Sequence, residues 1–266
     1  MTPPPAKPVT APDFRAAKPA GRKLAVVTAY DYTSAVIADA AGVDAILVGD
    51  SVGMVVQGHS TSLPVTMAEM LYHLRCVARG TKRALIVVDL PFLSYQVSPR
   101  QAVKNAGKLL KAGAHAVKLE GGVRMAEAVA ACVRADIPVM GHVGLTPQSV
   151  HRMGGFKVQR DADELIADAK AVEHAGAFSI VVEGVPTDVG GQVTAAVNVP
   201  TIGIGAGPHC DGQVLVWHDL LGLYDAMRPK FVKRYAELGA TAKAAVAAFC
   251  DEVRAGAFPA AEHGFK

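Results

Sequence analysis

Short apolar runs alternate with longer amphipathic segments between residues 24 and 218. Most of the apolar runs are continuous, which is typical of strands that are covered on both faces in a parallel sheet. The longer segments between them have the apolar period of helices. We therefore predict eight strands, at residues 24–28, 45–50, 85–90, 116–120, 139–143, 179–183, 201–204 and 214–217. We predict helices at residues 33–41, 67–79, 99–112, 126–135, 163–175 and 188–197.

The ends of these segments repeat one unit along the chain. Gly42, Gly113 and Gly176 each follow a predicted helix, at a position that favours a left-handed backbone. A strand comes next, and four of the strands end in an acid, namely Asp50, Asp89, Glu120 and Glu183. Eight strands with intervening helices predict an α/β fold, the (β/α)8 TIM barrel, over an open doubly wound sheet.

The remaining segments define the domain prediction. Residues 1–20 are rich in proline and lack the apolar run of a secretory signal, so we expect a flexible tail outside the fold. Residues 21–266 are predicted to be a single barrel domain. One or two extra helices between residues 229 and 255 belong to that domain and would pack on the barrel or on another subunit.

Composition excludes several classes of protein. The 266 residues are 51% hydrophobic and 19% charged, which does not fit a disordered or fibrous chain. The net charge of +3 comes without a basic stripe, so we expect no nucleic-acid partner. No apolar run approaches the roughly 18 residues of a membrane span. The four cysteines form no CxxC pair, which favours free thiols in a cytosolic protein over zinc sites or disulfides.

Acids at the ends of barrel strands are candidates for catalysis, because barrel enzymes build their sites at that end. A single acid after a strand is more often a helix cap or a turn residue, but four at equivalent ends are expected to meet at one mouth. Lys118 and Glu120 lie two residues apart on one strand and therefore share a face. They either contribute to the site or form a structural ion pair inside the barrel.

Carboxylates that converge without cysteines favour a hard cation such as Mg²⁺. We expect Asp50 and Asp89 to be direct ligands and Glu120 to bind directly or through water. Such an ion could chelate an α-keto acid and stabilise its enolate.

Three further features leave alternatives open. Apolar neighbours of Glu183 are expected to raise its pKa and make it a general base, although it could instead cap the helix near Thr187. His142 is either a functional residue or a satisfied core residue. The glycine-rich loop at residues 203–207 could bind phosphate or pack closely against the site.

Several motifs resemble one known family, the ketopantoate hydroxymethyltransferases. The most specific are VGDSVGM at residues 48–54 and GHVGLTPQS at residues 141–149. Similar matches occur at residues 28–32, 57–59, 63–66, 89–92, 117–122, 202–207 and 258–263. The resemblance extends from about residue 22 to the C-terminus.

The resemblance implies a barrel of the phosphoenolpyruvate/pyruvate type that acts in pantothenate and coenzyme A biosynthesis. The implied reaction moves a one-carbon unit from 5,10-methylenetetrahydrofolate to 3-methyl-2-oxobutanoate with Mg²⁺, in a cytoplasmic homodecamer. The implied metal site consists of Asp50, Asp89 and Glu120. The implied substrate contacts are Asp50, Ser51, Asp89, Lys118 and His142. Glu183 would accept the proton.

The chain departs from the family pattern at three positions. Gly184, Arg160 and Gly264 stand where Cys, Gly and Ser are usual, and none of these changes removes a named functional group. Two rival functions are a C–C lyase of the same barrel superfamily that acts on an oxo-acid, and a catalytically silent binder of small molecules.

Overall fold

A computed structural model describes residues 7–223, 225 and 229–265 of the chain. In this part of the chain, eight parallel strands close into a barrel in sequence order, β1 to β8, and β8 pairs with β1. The strands are β1 (Leu24–Thr28), β2 (Ala45–Val48), β3 (Leu85–Asp89), β4 (Ala116–Glu120), β5 (Val139–Gly144), β6 (Ser179–Glu183), β7 (Thr201–Ile204) and β8 (Gly212–Leu215). The bounds predicted for β1, β4, β6 and β7 are confirmed, and β8 begins two residues earlier than predicted.

Helices follow most strands, close to the predicted positions. They are α1 (Ala11–Arg15), α2 (Tyr32–Ala40), α3 (Val52–Val55), α4 (Met67–Gly80), α5 (Pro99–Lys111), α6 (Ala126–Arg134), α7 (Val150–Met153), α8 (Ala162–His174), α9 (Thr187–Ala196), α10 (Trp217–Leu220) and α11 (Leu238–Arg254). Short 3₁₀ turns occupy Val123–Met125, Pro147–Ser149 and Ala261–His263. None of these helices is long and apolar enough to cross a membrane.

The prediction that residues 1–20 form a flexible tail is wrong for the described residues 7–20. Thr10 and Asp13 form a capping box that starts α1, with a proline in its first turn. Phe14 is fully buried and contacts the Phe178 ring edge-on, with 5.8 Å between the ring centroids. Burial of this aromatic side chain orders the segment against the first residues of the strands. Residues 1–6 lie outside the described part.

The single domain predicted over residues 21–266 stays a prediction. The chain divides into two compact units, Met1–Val216 with the barrel and Trp217–Lys266. The second unit contains α10 and α11, which confirms a helix within the predicted span 229–255. In α11 the described residues bury no side chain, and Phe249 packs against Phe258 with ring centroids 5.6 Å apart. The C-terminal helices therefore form their own unit.

The barrel interior changes from apolar to charged along the strands. Ala116 of β4 belongs to the apolar core that also contains Leu47, Val87 and Met140. Lys118 and Glu120 follow at intervals of two residues, so they share a face with Ala116. The interior is consequently apolar where the strands begin and charged where they end.

Candidate active site

The four predicted acids lie at the carboxyl ends of neighbouring strands. Three of them end β3, β4 and β6, and one lies two residues beyond β2; they are Asp89, Glu120, Glu183 and Asp50. The strand register places Asp89 beside Lys118, and Glu120 beside His142. The structure therefore brings together the six side chains that the sequence singled out at strand ends. We call them the rim groups: Asp50, Asp89, Lys118, Glu120, His142 and Glu183.

One rim group is more exposed to solvent than the other five. Asp50, Asp89, Lys118, Glu120 and His142 are each at most 6% exposed, whereas the side chain of Glu183 is 19% exposed. Carboxylates are rarely buried unless an ion pair or hydrogen bonds stabilise them. Glu183 is therefore the rim carboxyl that a reactant approaching from solvent reaches most directly.

Three contacts connect the rim groups in a row. The Nζ atom of Lys118 lies 3.1 Å from Asp89 Oδ1 and 3.1 Å from His142 Nδ1. His142 Nε2 lies 3.2 Å from Glu183 Oε2. Burial and the nearby ammonium hold the pKa of His142 well below its usual value, so the ring is neutral. Because Nδ1 accepts from Lys118, Nε2 carries the hydrogen of the neutral ring; it lies close to Glu183 but makes no hydrogen bond there.

Lys118 stays charged in this surrounding. Burial opposes its charge, but Asp89 and Glu120 outweigh that effect and raise the pKa of the ammonium. Burial also raises the pKa of the Glu183 carboxyl to about 7, while Lys118 opposes the shift. A carboxyl that titrates near neutral pH is suited to accept a proton, as predicted for this residue.

Asp50 and Asp89 form a close pair of acids. The backbone N–H of Asp50 donates to Asp89 Oδ2 at 3.0 Å, while Asp89 Oδ1 faces the Lys118 ammonium. Burial and the charge of Asp89 raise the pKa of Asp50 to about 7. Burial and Asp50 likewise raise the pKa of Glu120 well above its usual value. The pair therefore has a surplus of negative charge that a cation would offset.

Gln148 connects the acids, and sequence reasoning missed this role. Its Nε2 donates to Asp50 Oδ2 and to the Leu90 carbonyl, both at 2.9 Å. Its backbone N–H donates to Glu120 Oε2 at 2.9 Å. Its Oε1 lies 2.9 Å from the Tyr95 hydroxyl, which also accepts from the backbone N–H of Glu120. The motif at residues 141–149 contains Gln148, but an uncharged amide gives no electrostatic signal in a sequence.

Replacing Gln148 with Leu is expected to weaken binding of the oxo-acid and of an activating metal by about 10- to 100-fold, because loss of a supporting hydrogen bond frees Asp50. Steady-state kinetics with varied oxo-acid and varied Mg²⁺ measure both effects. Gln101→Leu is the matched control, since the Gln101 side chain donates to the Leu93 carbonyl and not to one of the acids. Equal effects of the two substitutions would contradict the role of Gln148.

Ser51 lies beside the acid pair rather than within it. Its hydroxyl is 2.8 Å from the Tyr30 hydroxyl, at the start of α3. A Cβ atom at Gly49 would lie 2.8 Å from Ser51 Oγ and 3.5 Å from Asp89 Oδ2. Glycine at this position therefore allows the chain to approach both side chains closely.

The geometry decides one alternative from the sequence and shows the contacts made by a second feature. The helix after Glu183 begins at Thr187, and no side chain caps it, so Glu183 is not its cap. The glycine-rich loop at residues 203–207 packs against β6, since Gly184 and Val185 donate to the carbonyls of Ile204 and Gly205 at 2.9 and 3.1 Å. Close packing of this loop is thus observed.

Solved structures share the fold at low sequence identity. A 2,3-dimethylmalate lyase of the PEP mutase/isocitrate lyase superfamily has a TM-score of 0.64 and 18% identity, over 96% of this chain and 91% of that one. Phosphonopyruvate hydrolase in complex with oxalate and Mg²⁺ has a TM-score of 0.61 and 17% identity, over 96% and 93%. These structures share the barrel fold of this chain, and the predicted (β/α)8 barrel is confirmed.

Closer similarity is found in sequence. The ketopantoate hydroxymethyltransferase family model matches residues 8–261. A 3-methyl-2-oxobutanoate hydroxymethyltransferase of Moorella thermoacetica is 57% identical over 263 residues, 97% of this chain and 98% of that protein. The corresponding protein of Pelobacter propionicus is 54% identical, over the same shares of the two chains. The chain belongs to the ketopantoate hydroxymethyltransferase family. The predicted family and enzyme class are confirmed, whereas the lyases share only the fold.

Proposed function

We propose that the chain transfers a one-carbon unit from 5,10-methylenetetrahydrofolate to 3-methyl-2-oxobutanoate and forms ketopantoate for pantothenate and coenzyme A synthesis. Membership of the family supports the reaction class. The observation that carries the proposal is Glu183, a partly exposed carboxyl with a pKa raised to about 7 at a rim of buried charges. The reaction needs a base of this kind, because the substrate must lose a proton from carbon.

Glu183 would take the proton from C3 of the oxo-acid. The electron pair of the broken C–H bond moves into the C2–C3 bond, and negative charge develops on the keto oxygen. Lys118 is the fixed cation among the rim groups, and its ammonium would offset the charge of the substrate carboxylate and of the enolate. The neutral His142 would lie beside Glu183, with 3.2 Å between Nε2 and Oε2.

The acid pair fits Mg²⁺. Asp50 and Asp89 would contribute carboxylate oxygens as ligands, since both are buried next to each other at the ends of β2 and β3. Within residues 7–223, 225 and 229–265, no group of three or more His, Cys, Asp or Glu side chains could hold a metal. The protein would therefore supply one or two carboxylates, with Glu120 acting through water, as Mg²⁺ commonly prefers. When bound, the ion would polarise the keto oxygen as a Lewis acid.

Formation of the product then follows from the enolate. Its C3 would form a bond to the methylene carbon of the donor while the first of the two carbon–nitrogen bonds to that carbon breaks, and the released nitrogen takes the proton that Glu183 removed. Water would then displace the second nitrogen from the same carbon and give it a proton. Water supplies the oxygen of the new hydroxyl group, and tetrahydrofolate leaves. Ser51 and Tyr30 place a pair of hydroxyls beside the acids, where they can bind the substrate carboxylate.

Chelation of divalent metal is expected to abolish ketopantoate formation from the oxo-acid and methylenetetrahydrofolate. Without the cation, the negative charges of the acid pair and of the enolate would repel each other. Added Mg²⁺ should restore the rate. Chromatography of the product, with and without a chelator, measures the effect. Product formation that is indifferent to chelation would contradict the metal site at Asp50 and Asp89.

Two expectations of location and assembly stay part of the proposal. The four cysteines are free thiols, which suits the reducing conditions of the cytoplasm. A homo-oligomer, with the decamer expected from the family resemblance, can be checked by light scattering of the purified protein.

A further inference from the structure

A buried tyrosine adjoins the rim without being one of the rim groups. Tyr95 lies in the loop of residues 90–98 between β3 and α5, and it is only 1% exposed. Connecting loops usually run over the surface of a protein. The side chain of Tyr95 is instead directed into the interior, where its hydroxyl meets the end of β4. This phenol therefore lies next to the acids.

The loop has a backbone conformation that only its surroundings can hold. Leu93 has a φ of 61°, in the left-handed region that leucine rarely adopts, although its side chain is exposed. Such strain persists only where neighbouring contacts compensate it. Here the N–H of Ser94 donates to the Pro91 carbonyl at 3.0 Å, and the buried Asn105 of α5 donates to the Ser94 carbonyl at 2.7 Å. Tyr95 is the next residue, so these contacts hold its phenol in place.

The hydroxyl of Tyr95 contacts three polar groups. It accepts from the backbone N–H of Glu120 at 3.1 Å. Its hydrogen can be donated to Gln148 Oε1 at 2.9 Å and to the Glu120 carbonyl at 3.0 Å. Burial and the charge of Glu120 raise the pKa of the phenol well above its usual value, so the hydroxyl keeps this hydrogen. The phenol thus connects the end of β4 to Gln148.

Two donors determine which side of the Gln148 amide faces the acids. Its Oε1 faces the Tyr95 hydroxyl and Gln96 Nε2, at 2.9 and 2.8 Å. Its Nε2 is thereby turned toward Asp50 Oδ2, at 2.9 Å. A reversed amide would place an oxygen against this carboxylate and an NH₂ group against the NH₂ group of Gln96. The orientation that binds Asp50 therefore depends on donors on the far side of the amide.

We propose that the Tyr95 hydroxyl positions the two carboxylates, Asp50 and Glu120, that would face the cation. It would do so through Gln148, whose amide donates to Asp50 and whose backbone N–H donates to Glu120 Oε2. Tyr95 is thus a positioning residue and not a metal ligand. The proposal rests on the proposed function, since the metal site belongs to it. Outer hydrogen bonds of this kind commonly change metal affinity by about 10- to 100-fold.

Tyr95→Phe removes one oxygen atom and keeps the buried ring. The full-length variant is expected to bind Mn²⁺, which suits the same oxygen ligands as Mg²⁺, about tenfold more weakly than the wild type. The reason is that the Gln148 amide loses a donor that turns its Nε2 toward Asp50. Electron paramagnetic resonance of free Mn²⁺ measures this affinity without the one-carbon donor and without turnover.

Gln96→Leu is a second variant that removes the other donor to the same amide oxygen. Gln96 is only half-buried, so its replacement does not depend on repacking of the interior. Mn²⁺ affinity should again fall. In the Gln148→Leu background, Tyr95→Phe should weaken Mn²⁺ binding no further, because the tyrosine acts through that amide.

Ser179→Ala is the matched control, since it also deletes a buried hydroxyl. Ser179 is fully buried at the start of β6, at the opposite end of the barrel, and its hydroxyl donates to the Pro200 carbonyl at 2.8 Å. This variant should lower the melting temperature to a similar extent as Tyr95→Phe and leave the affinity for Mn²⁺ unchanged.

Several results would overturn the positioning role. They are wild-type Mn²⁺ affinity in Tyr95→Phe, equal weakening in Ser179→Ala, and an additive loss when Tyr95→Phe is combined with Gln148→Leu. A wild type that binds no Mn²⁺ would overturn the metal site together with this proposal. A wild type that binds Mn²⁺, loses affinity through Tyr95→Phe and forms no ketopantoate would overturn the proposed reaction alone.

Discussion

Replacing Glu183 with Gln is expected to lower kcat for ketopantoate formation by about a thousandfold, the usual contribution of a positioned general base. The amide keeps the shape of the side chain but cannot accept the C3 proton. Exchange of the C3 hydrogen without donor should fall to a similar extent, because it depends on the same proton transfer. Proton nuclear magnetic resonance in heavy water measures that exchange directly.

The pH dependence of the wild type provides a second readout of Glu183. Burial raises the pKa of its carboxyl to about 7, and only the ionised form accepts a proton. The exchange rate is therefore expected to fall as the pH decreases below about 7 and to level off above it. His142 remains neutral throughout this range, because burial and Lys118 lower its pKa.

Glu127→Gln is the control for this substitution, since Glu127 is an exposed glutamate on α6. It should leave both the exchange rate and its pH dependence as in the wild type. If C3 exchange survives in Glu183→Gln with the wild-type rate, another group is the base.

Replacing Lys118 with Met is expected to reduce the free energy of unfolding by about 3–5 kcal/mol, since removal of one partner of a buried ion pair leaves an uncompensated charge. Lys118 and Asp89 are each only 5% exposed, and their charged atoms lie 3.1 Å apart. Activity should be lost as well, because the fixed cation near the substrate is removed. Urea denaturation followed by circular dichroism measures the stability.

The double variant Asp89→Asn/Lys118→Met separates the two effects. It removes both charges of the pair, so most of the lost stability should return. Activity should not return, because the proposed substrate contact and the proposed metal ligand are both missing. A double variant as unstable as Lys118→Met would show that the destabilisation comes from lost packing and not from an unpaired charge.

The helix at the N-terminus shows where sequence patterns fail. Its five residues are too few for a helical period to be seen, and prolines dominate the surrounding composition. The capping box at Thr10 and Asp13 was present in the sequence, but Phe14 becomes a core residue only because the barrel presents an apolar interior to it. Strand β8 was displaced for a related reason: Gly212 and the exposed Gln213 interrupt the apolar run on which its prediction relied.

The sequence by itself determined the barrel, the strand ends to within two residues and the identity of the six rim groups. It could do so because parallel strands buried on both faces require continuous apolar runs. In addition, side chains alternate between the two faces of a strand, so residues two apart lie on the same face. Only the tertiary structure decided that Lys118 pairs with Asp89, that His142 lies beside Glu183, and that Gln148 connects Asp50 to Glu120. Those contacts join residues up to 98 positions apart, and their distances depend on how the barrel closes, which no local pattern records.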